Sequence, residues 1–223
     1  MSKNELARTS CGPGMARRNF LRNSALLALP VTLSGLAGPV MAAVTTSSYT
    51  LPSLQRGSTV ISVRSHGALG NGITDDTAAF QRAINALPST GGTVDVPAGT
   101  YVLDPTSSVR LRSNMHLRLA SGAVLEAKRN SLERAYVLML FKLNNVEISG
   151  GRIVGERDSQ LGTSGQWGQG IQVLGSTGVI IRDIHLSKCW GDGVCVGGAM
   201  VAEGGLPLPS RRRTLCNVGS TGN

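Results

Sequence analysis

The sequence predicts an all-β solenoid of parallel strands, closed at its N-terminal end by one α-helix, and three observations predict it. Short segments of alternating apolar residues recur through the second half of the chain, each opened by an Asn or Gly turn. Two segments that begin Trp-Gly repeat at a spacing of 190 − 167 = 23 residues, the length of one coil. A single amphipathic helical pattern stands just upstream of the first clear strand. Composition agrees, since 41% of the 223 residues are hydrophobic but only 4% aromatic, and 29 are glycine, a balance that suits many turns and few bulky side chains.

The formal charge of +9 overstates the basicity of the folded part. Residues 1–43 hold Lys3, Arg8, Arg17, Arg18 and Arg22 against Glu5, which leaves 17 basic and 12 acidic residues beyond them. That mild excess marks a solvated basic surface and is compatible with an acidic polymer. No DNA- or RNA-binding motif accompanies it, and no nucleic-acid partner is expected.

The first segment, 1–43, is set apart from the fold. Arg17-Arg18-Asn19-Phe20-Leu21 precedes an apolar run from Ala25 to Leu36 that is short for a bilayer span, and Met41-Ala42-Ala43 offers small residues to a signal peptidase. It resembles a twin-arginine (Tat) export signal cleaved after Ala42 or Ala43. That likeness implies the Tat translocase as a partner during export, a periplasmic or extracellular destination, and no stable membrane association afterwards. Residues 44–57 are expected to form a linker. Cys189, Cys195 and Cys216 remain beyond the signal, and an odd number argues against a full disulfide framework, so small buried side chains are the expected use.

The helix comes next. Ala79, Phe80, Ala83, Ile84 and Leu87 recur at three- and four-residue spacings, Thr74, Asp75 and Asp76 are placed to cap its orphan N–H groups, and Pro88 with Gly91-Gly92 stops it. Thr93–Val96 alternates as a strand, Pro97–Gly99 turns, and Tyr101-Val102-Leu103 extends again.

On these residues, GNGITDDTAAFQRAINAL followed by GGTVDVPAGTY, the chain resembles the opening of pectate-lyase-like and rhamnogalacturonase-like right-handed parallel β-helix proteins, the pectin lyase-like superfamily. The likeness extends over roughly residues 58–200. It implies a right-handed parallel β-helix whose N-terminal helix covers the open end of the stack, removing unpaired strand edge and apolar interior from water. It also implies a secreted protein that acts on acidic, pectin-like polysaccharide. The activity would be hydrolysis, as in polygalacturonases and rhamnogalacturonases, or β-elimination, as in lyases. The alternative is a non-catalytic glycan-binding or structural β-helix of the tailspike kind.

Rows of inward side chains follow. Met115 and Leu117, Val146 and Ile148, and Val179 and Ile181 occupy equivalent positions and are expected to stack rung upon rung. The segments Trp167–Val173 and Trp190–Val196 place Trp167 with Trp190, and Gln169 with Asp192, on one edge. Thr214–Ser220 repeats Ile180–Leu186, and Arg213 falls where Val179 points inward. With no closing helix before Asn223, residues 58–223 are expected to be a partial β-helix domain, incomplete at its C-terminal end.

Asp192, flanked by glycines at a turn, matches the context in which polygalacturonase-like enzymes keep a groove carboxylate, and it is the candidate catalytic residue. Hydrolysis needs a second carboxyl group several ångströms away. Gln169 offers an amide there, so Asp158, with Glu156 beside it, is the candidate to supply the missing acid. Trp167, Trp190, Gln169, Arg182 and Lys188 form the candidate substrate-binding set, the tryptophans serving equally well as a sugar platform or as packing. A lyase would take its base from basic residues such as Arg152, Arg157, Arg182 and Lys188. No metal site and no cofactor is expected, with calcium entering only for a lyase.

Overall fold

The computed structural model describes residues 54–163, 165–198, 214–215 and 218–220, all within one compact unit, and it is a right-handed parallel β-helix. The expected export signal, residues 44–53 and Arg213 lie outside the described residues. The chain enters through β1 (Val60–Ser62), β2 (Asn71–Asp75) and the helix α1 (Thr77–Asn85). Coils of three strands then follow: β3 (Gly92–Val96), β4 (Gly99–Leu103) and β5 (Val109–Arg110); β6 (Met115–Leu119), β7 (Ala123–Ala127) and β8 (Arg134–Phe141). The next are β9 (Asn144–Ser149), β10 (Arg152–Val154) and β11 (Trp167–Leu174); β12 (Thr177–Arg182), β13 (Ile184–Ser187) and β14 (Val194–Gly197); and last β15 (Thr214–Leu215) with β16 (Val218–Ser220). Equivalent strands pair in parallel, giving a first sheet β1-β3-β6-β9-β12-β15, a second β2-β4-β7-β10-β13-β16 and a third β5-β8-β11-β14.

Inward side chains line up because parallel in-register pairing repeats each position about 4.8 Å along the axis. In the first sheet Val94, Leu117, Ile148 and Ile181 form one column and Met115, Val146 and Val179 another, as the repeats predict. Tyr101, Leu125, Ile153 and Leu186 line the second sheet, and Val109, Leu138, Ile171 and Val194 the third. Each fully buried aliphatic contributes roughly 1.5–3 kcal/mol of transfer free energy, so the columns hold the coils together. At one corner the chain turns through positive φ at Asn114, Asn145 and Gly178, and Asn145 Nδ2 donates to Asn114 Oδ1 at 2.8 Å. Asn tolerates this left-handed conformation better than most residues, which is why it recurs there. The 23-residue spacing is the β11–β14 register, Ile171 against Val194, and the C-terminal repeat is the pairing of Ile180 with Thr214 and Ile184 with Val218.

The helix buries Ala79, Phe80, Ala83 and Ile84 against the first coil, where the Phe80 and Tyr101 rings meet edge to face at 5.3 Å. Its cap corrects the expectation. Residues 71–75 are a strand paired with β4, so the helix begins only at Thr77. Asp75 alone bonds a helical N–H with its side chain, accepting from the Thr77 N–H at 3.1 Å and its hydroxyl at 2.6 Å. Thr74 Oγ1 accepts from Asn71 instead. Asp76 caps through its backbone, its carbonyl accepting from the Phe80 N–H, while its carboxylate turns away to take the N–H groups of Leu69 at 2.8 Å and Gly70 at 3.0 Å. Asp76 therefore ties the entering loop to the helix. The cysteines bring a second correction, since Cys195 is disulfide-bonded, while Cys189 is free.

Candidate functional site

Four connections between the second and third sheets, residues 104–108, 128–133, 155–166 and 188–193, lie on successive coils and so share one edge of the solenoid. Loops on one edge of a rigid stack are where such a scaffold presents polar groups. Asp192, Asp158, Trp167, Trp190, Gln169 and Lys188 all fall on this edge or on the strand that leaves it.

Side-chain direction here follows from the glycines. A Cβ on Gly170 would lie 2.9 Å from Leu186 Cδ2 and 3.2 Å from Cys189 Sγ, and one on Gly193 would lie 3.2 Å from Leu186 Cβ, so both face the interior. Trp167 and Gln169 stand in register with Arg134 and Tyr136 of the preceding coil, Trp167 half-buried and Gln169 buried. Gly191 N–H donates to Gly168 O at 2.7 Å and Gly170 N–H reaches Asp192 O at 3.4 Å, so Gly191 and Asp192 together stand opposite Gln169. Two residues against one is the pattern of a bulge, and a bulge re-aims its side chain. Asp192 is accordingly exposed, and among the described residues its carboxylate has no hydrogen bond or ion pair.

The two tryptophans play different parts. The Arg134 guanidinium lies 4.8 Å from the centre of the Trp167 ring, on the register partner one coil below. Trp190 packs on the backbone of the preceding coil, its Cγ 2.7 Å from where a Cβ on Gly165 would be. No ring–ring contact joins the two among the described residues. Gln169 is 4% exposed, its amide makes no hydrogen bond among the described residues, and Oε1 is buried without a partner. Beside it in register is Tyr136, whose pKa burial raises against the opposing effect of Arg134.

Asp158 is bound between two cations, Lys188 Nζ at 3.0 Å and Arg157 Nε at 3.2 Å. The hydrogen bond from Lys188, then that from Arg157, holds its carboxyl below the usual range. A carboxylate kept ionised in this way is a poor proton donor. Glu156 is buried, accepting from Asn130 Nδ2 at 3.4 Å, with Oε1 3.2 Å from where a Cβ on Gly168 would be. Cys189 Sγ donates to the Ser187 carbonyl at 3.7 Å. Burial first, then the Glu156 charge, pushes its thiol up to about 11, so it stays protonated and is no nucleophile at neutral pH. The edge does not fit calcium, which takes six to eight oxygens, because Asp158 is occupied by two cations and Asp192 stands apart.

Arg182 does not join the other candidate residues on the loop edge. It lies on the outer face of the first sheet, where Nε and Nη2 bond Glu147 Oε1 at 2.8 and 2.7 Å and Nη1 bonds Asp183 at 2.8 Å. Arg56 bonds the other Glu147 oxygen, and His116 Nε2 lies 2.7 Å from Ser149 Oγ and 3.6 Å from Glu147 Oε1. Burial lowers the His116 pKa to about 4, Glu147 opposes that, and Arg56, Arg182 and Arg118 add to it. Burial works against the Glu147 charge, yet the hydrogen bond from Arg56, the His116 charge and the bond from Arg182 outweigh it, and its carboxyl titrates low. A Ser-His-acid relay needs the serine and the acid on different imidazole nitrogens. Here both approach Nε2, so the cluster is structural. Sequence reading missed this network and missed Arg134. The signal for Arg134 was its place opposite Trp167, which the unequal loop lengths of successive coils conceal.

Comparison with known proteins agrees with this architecture. Residues 60–144 match the family model described as rhamnogalacturonase A/epimerase, pectate lyase-like. An uncharacterized protein of Bacillus subtilis, YclG, is 28% identical over 155 residues, 61% of this chain and 26% of that protein. An exo-poly-α-D-galacturonosidase of Dickeya chrysanthemi is 39% identical over 90 residues, 40% of this chain and 13% of that enzyme. The A-module of the mannuronan C-5 epimerase AlgE6 of Azotobacter vinelandii shares the fold, with a TM-score of 0.52 at 23% identity over 60% of this chain and 41% of the module. The chain thus spans about a quarter or less of the length of these curated relatives.

Proposed function

We propose that this protein is a carbohydrate-active β-helix that engages an acidic glycan along its loop edge and hydrolyses it, with Asp192 moving the proton at the glycosidic oxygen. The observation that carries this reading is the exposed, unpaired Asp192 carboxylate, set by a bulge beside two tryptophans and an unpaired amide while Asp158 is neutralised by its cations. Glu156, buried in the 155–166 connection beside Gly168, is the candidate for the second carboxyl group that two-acid hydrolysis requires. The galacturonosidase relative and the moderately basic composition support an acidic polymer as substrate. Delivery outside the cytoplasm suits such a substrate, and the Arg17-Arg18 segment supports Tat export. N-terminal sequencing of exported protein tests this, a start after Ala42 or Ala43 being expected.

Incubation of the full-length protein with polygalacturonate and with rhamnogalacturonan tests the reaction. New reducing ends without the absorbance of an unsaturated product are expected. Asp192→Asn is expected to cut turnover by about a hundredfold or more, the scale of lost acid–base catalysis. Undiminished turnover in that variant removes Asp192 from the mechanism. A second reading, glycan binding without cleavage, is favoured by the Gln169 amide in the position facing Asp192, and it predicts retained oligosaccharide with no new ends.

A further inference from the structure

We propose that Arg134, braced on Trp167 and flanked by Tyr136 and Gln169, forms a subsite that reads the anionic substituent, carboxylate or sulfate, of a glycan unit. The proposal rests on the glycan reading above and names what selects the substrate.

The other cations of this edge are engaged: Lys188 and Arg157 on Asp158, and Arg129 Nε on the Ser159 carbonyl at 3.0 Å. Arg134, half-buried, pairs with no carboxylate among the described residues; its guanidinium rests on the Trp167 ring and hydrogen-bonds Tyr136. An indole face holds a guanidinium without consuming its donors, and the donors left beside the Tyr136 bond meet an anion at low entropic cost. The ring of Trp167 thus serves as a support for the cation on that face, in place of a bare sugar platform.

The second observation is independent. Gln169 is 4% exposed and its Oε1 is buried without a partner, a cost that a native protein tolerates where a ligand supplies the missing bond. Its Oε1 takes a hydroxyl proton and its NH2 donates to an oxygen, the complement of a sugar ring beside its charged group. Tyr136 is the register partner of Gln169, Arg134 that of Trp167, and Asp192 stands on the next coil. Arg134 and Asp192 are therefore two coils apart, about 10 Å along the axis, so a glycan lying along the stack meets the anion reader and the carboxylate in a fixed order.

Calorimetric titration of the full-length protein with three oligosaccharides of equal length tests this: oligogalacturonate, a sulfated carrageenan fragment, and carboxyl-reduced, neutral oligogalacturonate. Arg134→Ala is expected to weaken the preferred anionic ligand by about tenfold or more and to leave the neutral one unchanged. Arg134→Lys, which keeps the charge and loses the fork, is expected to lose most of the same affinity. The tighter of the two anionic ligands in the wild type identifies carboxylate or sulfate. Equal weakening of charged and neutral ligands, no weakening, or no binding of either anion overturns the subsite. Thermal melting of both variants separates misfolding from lost recognition, and the lysine variant carries the test if the alanine variant fails to fold. Should Asp192→Asn turn over normally while Arg134→Ala still loses anionic binding, the proton-transfer reading falls and the subsite stands. The opposite result removes the subsite alone.

Discussion

Two polar regions of this solenoid, the outer face of the first sheet and the loop edge, differ in what their charges have already found. On the sheet, both Glu147 oxygens accept from arginines, one from coil four and one from the segment before β1, and His116 is held neutral against Ser149. At the edge, Arg134 lies on a ring, Gln169 is unbonded and Asp192 is solvated. Matched charges in a shielded setting hold structure, whereas unmatched ones beside apolar surface are free to meet a ligand.

The comparison breaks most visibly at Glu147. Glu147→Gln removes the anion between Arg56 and Arg182 and leaves Arg182 with Asp183 alone, and a loss of roughly 3 kcal/mol is expected, read as a lowered midpoint in urea or heat. A loss too small to measure would mean that the network is as dispensable as a surface pair. Acid sharpens the contrast next. Folded His116 stays neutral down to about pH 4, whereas the unfolded chain takes its proton near 6.5. Between those values the unfolded state binds more protons, so stability falls as pH falls, by an amount on the order of 3 kcal/mol. His116→Gln is expected to flatten that part of the stability–pH curve, leaving the Glu147 titration, of the same sign, at lower pH. The smallest effect belongs to the edge. Gln169→Leu removes an amide with no partner and is expected to keep stability or raise it by about 1 kcal/mol, while glycan affinity falls. A large destabilisation there would place Gln169 with the structural group.

The fold was legible because parallel stacking writes itself into sequence as a spacing. The 23-residue return of Trp-Gly and the columns through Leu117, Ile148 and Ile181 are direct images of the ladder. The place of Asp192 across from Gln169 follows from that same repeat. Gln169 was placed correctly, but its burial belongs to the packed edge and has no local signature. Arg182 misled because surface and network arginines look alike in sequence, and what decides between them, Glu147 and Asp183, depends on register. Asp76 satisfied every local rule for a side-chain cap and was taken by the loop at Leu69 and Gly70, a tertiary claim that overrides a helical preference.

The bond from Arg56 to Glu147 spans 91 residues, and a side chain of Asn145 holds the Gln55 carbonyl next to it. Neither contact has a partner until the third coil exists. Gly57 and Thr59 find backbone partners at Thr90 and Thr93, whereas Gln55 and Arg56 wait for some ninety later residues before their contacts can close. The chain is thus sealed from behind: part of its early segment is held by a coil made some ninety residues after it.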